Sequence, residues 1–293
     1  FVMIALIRNI AELSQENYKD KEDLFDLRLS FLYYSSLALI DGFCDREIIP
    51  MILRTKVSIM EEEAATNGVE ILQKIWPLFQ AILKSECFSK ALNLMSLLIN
   101  KKRDQIIVEN VKSAVLELTI DKIKWISKTD TAGITTLKSK IYLGFKGYLD
   151  KVNQNIEDRY VLYALFHEIG HFIVDQLLPK NHGTPDLGKS IQEIKEKKIA
   201  LDPIEEKLLS RVDGLEGGYA FELFLYGAPG IFNYKFVGEN ASDQFFAKFM
   251  NAESYNSWPL YSEDEHKHKL SVKINTRLSG ILYIPLSRPI YYM

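Results

Sequence analysis

The feature that most constrains the fold is a short polar motif inside an apolar helix. Residues 158–178 are predicted to be helical because their apolar side chains are nearly continuous, and His167-Glu-Ile-Gly-His171 lies among them. Two histidines four residues apart share one helix face, so both imidazoles can bind one metal ion. Burying these polar side chains is unfavourable unless they have polar partners. The motif therefore predicts a Zn²⁺ site in which Glu168 takes a proton from a metal-bound water.

The motif leaves the third zinc ligand open, since a catalytic zinc ion takes three protein ligands and keeps one open position. His182 follows His171 by 11 residues, too many for the H-E-x-x-H-x-x-G-x-x-H pattern. Glu216 opens a predicted apolar helix and is a second candidate. Glu239 is favoured because Asp243 lies one turn later on the same face, where it could accept the free N–H of a zinc-bound histidine.

The rest of the chain is also predicted to be mainly helical. Apolar residues spaced by three and four predict helices at 21–41, 46–64, 69–84, 88–101, 106–126, 189–200, 203–213, 216–226 and 239–253. Residues 127–137 are rich in Ser, Thr, Asp and Gly and are predicted to be a loop, and residues 140–144 a short strand. The predicted organisation is a helical region over 1–130 and a region with the metal site over 131–293.

The amino-acid composition limits which classes of binding partner and which kinds of site are expected. The chain has 36 Lys and Arg against 39 Asp and Glu, a net charge of −3 that does not favour nucleic-acid binding. Cys44 and Cys87 are too few for a disulfide framework or a four-cysteine zinc site, and their pairing is left open. The apolar residues 1–7 form too short a run to span a bilayer.

Two motifs together resemble a known family. Besides the histidine motif, Gly238-Glu-Asn-Ala-Ser-Asp243 is similar to the Gly-Glu-Asn-x-x-Asp motif of the neprilysin and endothelin-converting-enzyme family, zinc metallopeptidases of the gluzincin type. Weaker similarities to the same family lie at 108–115, Trp125, Thr129, Asp264-Glu-His266 and 273–279. The resemblance covers parts of residues 106–280.

The resemblance implies an α+β, zincin-like fold, with a helical N-terminal half and a thermolysin-like zinc-peptidase core that carries a small edge sheet. It implies hydrolysis of a peptide or protein substrate by a zinc-activated water, and residues 140–144 are expected to pair with that substrate. A soluble, secreted or ectodomain-like protein is also implied, despite the few cysteines and the lack of a usable glycosylation sequon. The implied site residues are the ligands His167, His171 and Glu239, the base Glu168, Asp243 to orient a histidine, and His266 to stabilise the oxyanion.

Two other functions remain open. A relative with weak or no catalysis would act as a module that binds a peptide or a protein. A different gluzincin, with Glu216 as the third ligand, would be a toxin-like protease with one specific protein target, and its helical first half would serve recognition or delivery. The range of substrates separates a general peptidase from the toxin-like protease, and bound metal without turnover would indicate the binding module.

Overall fold

The computed structural model describes residues 22–30, 58–59, 66–127, 133–136, 139–145, 154–178, 187–213, 215–231, 239–250 and 255–261. This part of the chain is mainly helical, which confirms the predicted fold class at that level. Among the described residues, no helix has the length and hydrophobicity that crossing a membrane requires. The helices are α1 (22–30), α2 (Thr66–Leu83), α3 (Glu86–Asn100), α4 (Gln105–Leu116), α5 (Gln154–Leu177), α6 (Leu187–Glu196), α7 (Pro203–Leu209), α8 (Gly217–Tyr226) and α9 (Glu239–Met250).

Local sequence explains where several helices begin and end. The Ser85 side chain accepts the backbone N–H of Phe88 and caps α3. Asp202 forms a capping box with Glu205 at the start of α7. Helix α8 ends at Tyr226, and its C-cap residue Gly227 has a φ of 85°, in the left-handed region that favours glycine.

The helices pack with one small sheet of four strands. The strands are β1 (Ser58–Ile59), β2 (Lys124–Ser127), β3 (Gly133–Thr135) and β4 (Ile141–Phe145), in the order β1-β2-β4-β3. Strands β2 and β4 are parallel, and the other two pairs are antiparallel. The helix predicted over 106–126 ends at Leu116 instead, and the last part of that range belongs to β2. Strand β1 lies within the helix predicted over 46–64, and β3 within the loop predicted over 127–137.

The strand predicted at 140–144 is confirmed as β4, but its expected role is wrong. Strand β4 lies between β2 and β3, so its backbone N–H and C=O groups pair with strands on both sides. An inner strand has no free edge to offer a substrate. Strand β3 is at the edge of the described sheet, so β3 is the strand that could pair with a substrate in place of β4.

Helix α5, which carries the histidine motif, is at the centre of the core. It packs against α2, α3, α4 and α8 and against strands β3 and β4. The ring of Phe166 contacts Phe79, Tyr226 and Phe249, each from a different helix. The core thus includes residues on both sides of position 130, and the predicted division there stays a prediction. Cys87 is a free thiol in this core and donates to the carbonyl oxygen of Leu225, while Cys44 lies outside the described residues.

Helices α5 and α8 approach each other at two glycines. A Cβ atom on Gly170 would lie 2.8 Å from the Cα of Gly218 and 2.9 Å from the Cβ of Phe221. Both distances are shorter than real Cβ contacts, so the two backbones can be this close only without a side chain at position 170. This approach places the start of α8 against the histidine face of α5.

We expect Gly170→Ala to lower the free energy of unfolding by about 1–3 kcal/mol, since the overpacking strain exceeds the gain in helix propensity. Denaturant unfolding of the metal-free protein would measure the change. Gly188→Ala is the control, because Gly188 is a half-buried residue of α6 where alanine should be neutral or slightly stabilising. A Gly170 variant as stable as the wild type would show that the two helices separate without cost.

Candidate metal centre

A buried cluster of His167, His171 and Glu216 could hold a metal ion. The two histidines lie one turn apart on α5, and Glu216 is the N-cap residue of α8. Nε2 of His171 is 2.7 Å from Oε2 of Glu216, and Nε2 of His167 is 3.3 Å from Oε1 of the same carboxylate. One ligand atom from each residue lies within 4.8 Å of the other two, so a single ion could contact all three.

The start of α8 holds the Glu216 carboxylate in place. This carboxylate accepts the backbone N–H groups of Gly218 and Tyr219 at 3.0 and 2.8 Å, and the helix N-terminus favours its negative charge. A Cβ atom on Gly218 would lie 2.7 Å from Cε1 of His167. The sequence Glu216-Gly-Gly therefore puts a carboxylate between two histidines and leaves room for the imidazole ring.

Of the three candidates for the third ligand, the structure brings Glu216 to the histidines. Glu239, the favoured candidate, begins α9 as its first residue, but its ligand role stays a prediction. The other predicted site residues are outside the described part of the chain, His182 and His266 altogether and Glu239 and Asp243 in their side chains.

Glu222 contributes to the site although the sequence pattern did not single it out. Its Oε1 is 2.8 Å from Nδ1 of His167, and its Oε2 accepts the backbone N–H of Gly230. As an acceptor, this carboxylate would fix the Nδ1–H tautomer of His167, which leaves Nε2 for a metal ion on the side of Glu216. The sequence feature that could have identified Glu222 is its position as the single charged residue in the apolar helix Gly217–Tyr226. In the structure its side chain is 1% exposed.

The donor atoms fit a bound metal ion. Nε2 of His167 is buried and has no hydrogen-bond partner among the described residues. A buried polar atom without a partner costs free energy, and a metal ion on this nitrogen would remove the cost. Two imidazole nitrogens and one carboxylate form a ligand set that Zn²⁺ takes in catalytic sites.

Charges within the cluster are strongly coupled. Burial disfavours a charge on His171, but the carboxylates of Glu216 and Glu168 outweigh it and raise the histidine's pKa to about 10. Burial likewise disfavours the Glu216 carboxylate, but both histidines outweigh it and lower its pKa to about 2. Without a metal these two residues form an ion pair, so a metal ion must displace a proton from His171.

Glu168 is buried next to these residues, on the same helix. Its side chain accepts the hydroxyl of Thr135 at 2.8 Å. Burial raises its pKa, and the charges of His171 and His167 oppose that change. A buried carboxyl group with a raised pKa beside a candidate metal site suits the general-base role predicted from the motif.

Replacing Glu222 by Ala should weaken Zn²⁺ binding by roughly 10- to 100-fold, because His167 loses the acceptor that fixes its tautomer. Competition with a chromophoric chelator would measure the affinity. Asp243→Ala is the comparison, since Asp243 is the residue predicted from sequence for the same role. Loss of affinity in the Asp243 variant alone would contradict the assignment to Glu222, and thermal unfolding of the metal-free variants would control for folding.

The chain matches no protein-family model, no curated protein and no solved structure. The resemblance to the neprilysin family therefore depends on the sequence motifs alone. The function must be inferred from the residues that the fold brings together at the cluster of His167, His171 and Glu216.

Proposed function

We propose that the protein is a zinc-dependent peptidase of the gluzincin type. Its ligands would be His167, His171 and Glu216, and Glu168 would be the general base. The observation that carries this proposal is the buried Nε2 of His167, which faces Glu216 and has no hydrogen-bond partner among the described residues. A metal ion explains this atom, and a buried glutamate directly after His167 supports hydrolysis over a purely structural metal site.

The residues of the chain would share the chemical work. When bound, Zn²⁺ polarises a carbonyl group and lowers the pKa of a water molecule. The Glu168 carboxylate takes a proton from the attacking water as the water oxygen bonds to the peptide carbonyl carbon. Glu168 then passes this proton to the leaving nitrogen as the C–N bond breaks, which yields an acid and an amine. Glu222 keeps His167 in the tautomer that binds metal.

The edge strand supports a peptide as the substrate. Strand β3 is at the edge of the described sheet. Its residue Gly133 lies against Glu168, because a Cβ atom added to this glycine would be 2.6 Å from Cγ of Glu168. An extended peptide that pairs with a sheet edge gains main-chain hydrogen bonds along its length. Pairing with β3 would bring a peptide bond beside the base.

The position of Glu216 favours one alternative more than the others. With Glu216 as the ligand, the neprilysin-like assignment and its thermolysin-like core lose the support of the Gly238–Asp243 motif. A gluzincin outside that family, with one specific protein as its target, is the second candidate function. Cleavage of many unstructured peptides would support a general peptidase, and cleavage of a single native protein would support the second candidate.

Elemental mass spectrometry of wild type, Glu216→Ala and Glu239→Ala would test the ligand set. We expect about one zinc ion per chain in the wild type and in the Glu239 variant, and little zinc in the Glu216 variant, which lacks one of three ligands. Zinc lost from the Glu239 variant and kept by the Glu216 variant would restore the ligand set that the sequence motifs favoured.

Peptide cleavage by Glu168→Gln would test the general base. Denatured casein and a pool of proteome-derived peptides are suitable probes, with products identified by mass spectrometry. The variant should keep its zinc and lose roughly 10²- to 10⁴-fold in rate, because glutamine cannot take the proton. Glu206→Gln, on α7, is the matched control. A zinc-loaded wild type that cleaves neither probe nor any native protein would favour the binding-module alternative.

A further inference from the structure

Strand β3 holds Glu168 through a single threonine. The hydroxyl of Thr135 lies 2.8 Å from Oε2 of Glu168 and 2.9 Å from the backbone carbonyl oxygen of the same residue. Thr135 is 4% exposed and Glu168 is 1% exposed, so bulk water does not compete for these contacts. The single hydroxyl hydrogen is shared between these two acceptors, so one side chain contacts both the main chain and the carboxylate of the proposed base.

The other end of β3 makes room for the same carboxylate. Gly133 and Thr135 are two residues apart on a strand, so they share one face. A Cβ atom on Gly133 would be 2.6 Å from Cγ and 2.8 Å from Oε1 of Glu168. The glycine therefore provides space for the carboxylate, and the threonine provides a hydrogen bond to it.

The two carboxylate oxygens of Glu168 are in different environments. Oε2 accepts the Thr135 hydroxyl, whereas no hydrogen bond to Oε1 is found among the described residues. An oxygen that already accepts a hydrogen bond from the protein is a poorer proton acceptor than one that is free. The asymmetry leaves Oε1 as the better proton acceptor of the two oxygens.

We propose that Thr135 is a positioning residue for the hydrolysis proposed above. By holding Oε2 it restrains the carboxylate, and Oε1, which has no hydrogen bond among the described residues, takes the proton from water and delivers it to the leaving nitrogen. The inference rests on the proposed function, because it needs Glu168 to be the base. Strand β3 would then position the base through Thr135 and the bound peptide through main-chain pairing. The distance between the base and the peptide bond would depend on this one strand.

Thr135→Val and Thr135→Ser test this role in the zinc-loaded protein. Valine keeps the shape of threonine without its hydroxyl, and serine keeps the hydroxyl. On the casein-derived peptide that the wild type cleaves best, we expect kcat of the valine variant to fall roughly 10- to 100-fold while KM stays within about two-fold. The serine variant should recover most of the kcat, and both variants should keep their zinc.

Thr136→Val is the matched control for a buried hydroxyl. Thr136 is 0% exposed, and its Oγ1 accepts the backbone N–H of Lys140 rather than binding Glu168. This variant should unfold at a lower temperature and keep its kcat. A Thr135→Val protein with wild-type kcat, or a serine variant as slow as the valine variant, would overturn the inference.

A double-mutant cycle separates this inference from the proposed function. In the metal-free protein, the losses in melting temperature of Thr135→Val and Glu168→Ala should be less than additive, because both remove one hydrogen bond. Additive losses would overturn the Thr135–Glu168 interaction whatever the activity. Cleavage lost in Glu168→Gln but unchanged in Thr135→Val would reject only the positioning role. A wild type that shows the coupling but cleaves no substrate would reject the proposed function and, with it, the role of Oε1.

Discussion

The burial of polar side chains along one helix is the constraint on which the rest of the structure depends. Helix α5 is at the centre of the core, so each polar group on it needs a partner from a neighbouring element. Strand β3 supplies Thr135 to Glu168, and α8 supplies Glu222 to His167 and its N-cap residue Glu216 to His171. The partners come from elements on two sides of α5, and this polar cluster therefore fixes the positions of the helix and the sheet edge relative to each other.

Small residues make these contacts possible. Gly170 lets α5 and α8 come together, Gly218 leaves room for the His167 ring, and Gly133 leaves room for Glu168. Each of these glycines lies where a Cβ atom would be less than 3.0 Å from another atom. The site thus depends on missing side chains as well as on the groups that could bind metal, because a methyl group at any of these positions would displace a neighbouring backbone or a side chain of the site.

The sequence predicts the residues of the site that lie on one helix, but it does not predict those that come from other elements. His167, Glu168 and His171 follow from helix periodicity, because their spacing alone places them together. Glu216 received less weight because it has no acid four residues later, but it is an N-cap residue outside the helical repeat, and the residue that hydrogen-bonds His167 is Glu222. Strand β3 has the composition of a loop and becomes a strand only by pairing with β4, a contact that no local pattern encodes.

Glu216 serves two purposes, and this has a thermodynamic consequence. The same carboxylate that would bind a metal ion also accepts the first N–H groups of α8. Formation of the helix and occupation of the site are therefore linked equilibria: any ion that binds the folded arrangement stabilises the first turn of α8, and fraying of that turn weakens the site. If an ion occupies the site, its removal would loosen the chain around residue 216, and the supply of metal would then affect how long the protein stays folded.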